Sequence, residues 1–107
     1  MTASVSFEKH HRDFLRDPER ARAYLEVALE DYAEDRNRSV LMLALRDIAN
    51  AQGGPGKLAR KTRMNRSHVC KILSGVANPR LVTIEKILHG LGYRLSIEPL
   101  VPQKRET

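Results

Sequence analysis

The sequence predicts an all-α fold of about five helices, closed by one short C-terminal β-strand. Three observations predict it. Apolar residues recur at helical spacing in successive stretches between Pro18 and Leu91. Helix-starting residues (Asp17 with Pro18, Asn37, Asn65) stand before these stretches, and Gly or Pro follows several of them. Only the stretch after Gly92 alternates with a period of two. With 107 residues, 41% hydrophobic and 30% charged, the chain describes one small domain with a modest core that oligomerisation would help.

Residues 1–16 form an N-terminal arm without a clean period, in which Phe7, Phe14 and Leu15 are apolar anchors, and partial order is expected of it. His10 and His11 are adjacent, so they point in different directions and make a poor metal pair. Asp17 and Pro18 start the first helix, whose Ala21, Tyr24, Leu25, Ala28, Leu29 and Tyr32 make one continuous stripe. That stripe needs a partner surface, either this protein's own core or another protein, and the pattern leaves both open. After the polar break Glu34 to Asn37, a second helix places Leu41, Ala44, Leu45, Ile48 and Ala49 inward, widened by Met42 and Leu43, and Gly53, Gly54 and Pro55 end it.

Next come two short helices joined by a turn at Arg63 and Met64. Leu58 and Ala59 open the first; Asn65 caps the second, whose Val69, Ile72 and Leu73 point back onto the first. A loop, Ser74 to Arg80, leads to the last helix, with Leu81, Ile84, Ile87, Leu88 and Leu91 inward and Gly92 at its end. Tyr93, Leu95 and Ile97 then alternate with Arg94, Ser96 and Glu98 as the predicted strand. A lone strand must be paired or covered, by a second copy, a partner protein or a short extended piece of this chain. The expected organisation is an arm at 1–16, a single helical domain at 17–99 with the helix-turn-helix at 55–74, and a loose tail at 100–107.

The segment from Gly56 to Leu73, GKLARKTRMNRSHVCKIL, points to a specific chemistry. Its second helix leaves Arg66, Ser67 and Lys71 on the free face with His68 at the edge; Arg and Lys reach guanine O6 and N7, and Ser can serve several bases. Charge favours the same reading. Residues 1–54 hold 8 basic and 10 acidic residues, whereas residues 55–107 hold 11 basic and 3 acidic, so the excess behind the net +6 sits on this segment. Such a surface neutralises phosphates and releases counterions. A membrane surface fits less well, because no stretch approaches the roughly 20 apolar residues of a spanning helix and the basic residues do not lie along one aromatic-anchored face.

No signal peptide opens the chain, so a cytoplasmic location is expected. Cys70 is the lone cysteine, expected to be a small buried or half-buried side chain. An enzyme is not expected. The four His, at 10, 11, 68 and 89, are scattered, and no nucleophile-base pair or metal-ligand spacing can be assembled, so neither a metal nor a cofactor is expected.

The chain resembles the small addiction-module antidote proteins, HigA-like antitoxins with a lambda-repressor-like helix-turn-helix domain. The resemblance covers most of the chain and rests on DPERARAYLEVALED, on LALRDIANAQG, and on the helix-turn-helix segment followed by LSGVANPRLVTIEKILHGLGYRLSIEP. It implies a bacterial antitoxin that neutralises a RelE-like or ParE-like toxin encoded beside it and represses the shared promoter as a dimer. Carried over position by position, Arg66, Ser67 and Lys71 match base-reading positions flanked by Asn65 and His68, while Lys57, Asn78 and Arg80 match phosphate-holding ones. Tyr93, Leu95, Ile97, Tyr24 and Tyr32 are the candidates for a dimer or toxin interface. Two departures stand out: Arg63 occupies the left-handed turn position usually held by Gly, where its guanidinium can reach a phosphate, and Thr62 stands where an apolar residue is common. Cys70 replaces a frequent aromatic residue. The expected function is therefore a DNA-binding antitoxin that represses its own operon. The alternatives are a stand-alone helix-turn-helix repressor and a toxin-neutralising interaction protein without DNA binding.

Overall fold

Capping residues set where the helices begin. The computed structural model describes residues 9–101, and the regular structure among them is helical throughout. Residues 9–14 form a short helix, α1, closed by a turn in which Leu15 N–H donates to His11 O at 3.1 Å. The aperiodic arm thus contributes a helix, and its anchor Leu15 is only 1% exposed. Phe7, with the rest of residues 1–8 and the tail at 102–107, lies outside the described residues.

In α2 (Pro18–Asp35), the Asp17 side chain accepts the Glu19 N–H and Pro18 sits in the first turn, where an N–H has no helical partner to lose. The helix ends at Arg36, left-handed at φ 57°, whose N–H donates to Tyr32 O. Asn37 caps α3 (Arg38–Ala51) by accepting the Ser39 N–H at 3.1 Å. Then follow α4 (Pro55–Thr62), α5 (Arg66–Leu73) and α6 (Leu81–Leu91). The five predicted helices all form, and α1 makes a sixth among the described residues.

α2 lies along α3, which also touches α4 and α5; α4 packs on α5 and α6. One core joins Leu15, Leu25, Met42, Leu45, Ile48, Val69, Ile72 and Ile87. The α2 stripe spends itself on this core. Ala21, Leu25 and Ala28 are buried and Tyr24 packs beside them, whereas Leu29 stays 44% exposed. Gly90 lets α6 approach α4: a Cβ there would lie 2.7 Å from both Leu58 Cδ1 and Thr62 Cγ2. The Gln52 amide donates to Leu91 O at 3.0 Å and joins the C-terminal ends of α3 and α6.

The expected C-terminal strand does not form. Residues 93–99 have no regular structure. Tyr93 turns back instead, its N–H donating to Leu88 O at 2.8 Å and its hydroxyl to Pro18 O at 3.3 Å. Beyond it Leu95 is 45% and Ile97 95% exposed. Alternation supplies a strand's side-chain pattern, but its hydrogen bonds need a neighbouring strand, and the described residues provide none.

Candidate nucleic-acid interface

The two short helices α4 and α5 are joined by a turn that Arg63 makes without help from glycine. Its backbone is left-handed, φ 59° and ψ 36°. Met64 N–H donates to Ala59 O at 3.0 Å, closing the end of α4. Thr62 is accommodated because its hydroxyl donates to Leu58 O at 2.9 Å and contacts Ala59 O at 3.2 Å, leaving its methyl toward Gly90. The turn is therefore formed with Arg63 left-handed and with both Thr62 and Met64 hydrogen-bonded to α4.

Asn65 then starts α5. Its Oδ1 accepts the N–H groups of Ser67 at 2.8 Å and His68 at 3.3 Å, so the carbonyl is committed to the cap and only its amide N–H groups remain for a ligand. Val69, Ile72 and Leu73 are buried, which turns Ser67 and Lys71 directly outward at about 100° per residue. Arg66 and Cys70 lie on one flank of that outward face and His68 on the other, all exposed. Cys70 is thus not half-buried as expected: one step beyond Val69, it is carried past the edge of the covered stripe.

Arg66 leans over the beginning of α4. Its Nε is 3.7 Å from where a Cβ on Gly56 would sit. No side chain caps α4, so its first-turn N–H groups are open beside that guanidinium and Lys57. Cationic side chains and open helix-start N–H groups together are what a phosphate needs. Arg60, three residues after Lys57, shares its outward face; sequence reading missed it, although the run KLARKTR carried the signal. Asn78 and Arg80 are exposed in the loop after α5.

Among the described residues no ion pair involves the cations of this surface, although Glu85 lines a concavity beside Lys61. No carboxylate occurs between Asp47 and Glu85. Among the described residues Lys57, Arg60, Lys61, Arg63, Arg66 and Lys71 are all exposed, and the ion pairs lie instead among α1, α2 and α3. Residues 6–99 match the family described as probable addiction module antidote protein. The chain belongs to this antidote family. A curated relative, an uncharacterized protein of Haemophilus influenzae, is 27% identical over 74 residues, covering 69% of this chain and 75% of that one. No solved structure gives a significant match. Membership gives the antidote protein an antitoxin role and a toxin as its implied partner.

The interface candidates of this antidote protein are scattered. Tyr24 is half-buried against α3, where its hydroxyl donates to Asp47 Oδ2 at 2.7 Å; burial first, then that bond, pushes its pKa up to about 12. Tyr32 is half-buried with the Arg36 guanidinium 5.7 Å above its ring. Burial also raises the Tyr93 pKa; Leu95 is partly covered, and Ile97 stands clear of the body. No helix among the described residues is long and apolar enough to cross a membrane, and no group of His, Cys, Asp or Glu there could hold a metal ion.

Proposed function

We propose that this antidote protein binds the operator of its own operon as a dimer, in the manner of HigA-like antitoxins, and neutralises a RelE-like or ParE-like toxin. The observation that supports DNA binding is the surface of exposed cations on α4, its turn and α5, none of them in an ion pair among the described residues. In this reading α5 enters the major groove, Arg66, Ser67 and Lys71 touch base edges, and Asn65 and His68 flank them. Lys57, Arg63, Asn78 and Arg80 hold phosphates, and Arg60 joins them; these contacts set register and orientation. Two copies would meet half-sites about one helical turn, roughly 34 Å, apart.

The test is a titration of the protein against its own upstream DNA and a scrambled duplex at two salt concentrations, with and without the product of the neighbouring gene. Selective, salt-sensitive binding that the neighbouring protein modulates is expected. Equal weak binding to both duplexes would remove the DNA-reading half of the proposal.

A further inference from the structure

A concavity of about 500 Å³ lies between α1, α2 and α3, with no residue of α4 or α5 in its wall. Its floor is a polar network. Asp47 Oδ2 accepts the Tyr24 hydroxyl at 2.7 Å and lies 3.4 Å from His11 Nε2, and the His11 and Tyr24 rings meet edge to face at 5.3 Å. The carboxylate of this pocket is therefore already engaged, and the phenol, with its raised pKa, stays neutral.

Two other lining groups have no carboxylate partner among the described residues. Lys9, Arg16, Arg20 and Arg22, the other basic residues of α1, α2 and the turn between them, each have a carboxylate partner within 4 Å. Among the described residues Arg12 and Arg46 have none, yet both line this one concavity, one from α1 and one from α3. The Asn50 amide stands on the same α3 face, one turn beyond Arg46, and Leu43, 43% exposed, adds an apolar wall one turn before it. Beside the Asp47 carboxylate, which already meets Tyr24 and His11, the lining offers two guanidinium groups and an apolar wall, so it is matched to a carboxylate on a short apolar stem.

We propose that this pocket receives the carboxylate of an acidic side chain presented by the partner protein. Arg12 and Arg46 grip it with charge-assisted hydrogen bonds, the Asn50 amide is a third donor, and Leu43 and the Tyr24 ring flank the methylene stem. The site lies apart from the DNA-reading surface, so one chain can hold operator and protein partner at once. This assignment of the partner rests on the antitoxin reading; the chemistry of the pocket does not.

The test uses the full chain labelled with 15N and three probes: the capped tripeptide acetyl-Ala-Glu-Ala-amide, its Gln counterpart, and inorganic phosphate. Saturable shifts of the Arg12 and Arg46 Nε–H and Asn50 amide signals with the Glu peptide, and none with the Gln peptide, are expected. R46Q and R12Q, both at exposed positions, should each weaken that binding by about tenfold while keeping the helical spectrum. Equal shifts at Arg60 and Arg63, or tighter saturation by phosphate than by the peptide, would overturn the proposal. Toxin neutralisation by the unaltered chain is measured alongside: its failure would sink the antitoxin reading without touching the peptide result, and a negative peptide result would sink the pocket without touching neutralisation.

Discussion

Replacing Arg63 with Gly separates the geometry of the turn between α4 and α5 from its charge. An L-residue in the left-handed region costs roughly 1 to 2 kcal/mol, and Arg63 sits there at φ 59° with its side chain exposed, so no packing is lost on its removal. Glycine relieves that strain but restores about 0.5 to 1 kcal/mol of freedom to the unfolded chain. The balance is a stabilisation of about 0.5 to 1 kcal/mol, a rise in Tm of roughly 2 to 8 °C for a domain of this size. Binding moves the other way. Loss of one phosphate contact should lower the slope of log K against log salt by about 0.9 and weaken operator and random DNA alike. Arg63→Ala is the control: it keeps the strain and loses the guanidinium, so binding falls as in R63G while Tm does not rise. Thermal melts and salt titrations of both variants read these effects. A lower Tm for R63G would refute the strain argument, and unchanged salt slopes in both variants would refute the phosphate role.

Arg66→Ala should cost about 1 to 3 kcal/mol on operator and much less on scrambled DNA, measured by competition titration; equal losses would mean that Arg66 only positions. Asn65→Ala removes both cap hydrogen bonds of α5 and should destabilise the protein by about 1 kcal/mol in urea unfolding, with a loss of DNA affinity. Gly90→Ala gains about 1 kcal/mol of helix propensity but drives a methyl to 2.7 Å from buried Leu58 and hydrogen-bonded Thr62, and overpacking of about 1 to 3 kcal/mol should lower Tm. The Tyr24 pKa is raised from 10.0 to about 12, so its contribution to stability is complete below pH 10 and is lost as pH climbs toward 12. Urea midpoints across that window should fall for the parent chain and fall less steeply for Tyr24→Phe.

Helix starts were legible because caps are local. Asp17, Asn37 and Asn65 each accept an N–H two residues on, and that geometry needs nothing distant. The strand was misread for the complementary reason: Tyr93, Leu95 and Ile97 have the right alternation, but a ladder depends on a second strand that no local pattern guarantees. α1 was missed because its short span carries no period, although Leu15 was marked as an anchor and is buried. Cys70 was misplaced by reasoning from its neighbour Val69 when a single residue step turns about 100°. The pocket beneath α1 was invisible in sequence because His11, Tyr24 and Asp47 meet only through space. The outward residues of α5 were legible from the three inward ones, whereas the approach of Arg66 to Gly56 required the crossing of α4 and α5.

The most direct test of the account is amide chemical-shift mapping of the protein on a duplex from its own upstream region. The account predicts that the largest changes fall at Gly56, Lys57 and Arg63 and across Asn65 to Lys71, with little change along α2 or in the Arg12 and Arg46 pocket. Changes spread evenly over every exposed cation, or concentrated on α1 to α3, would contradict it.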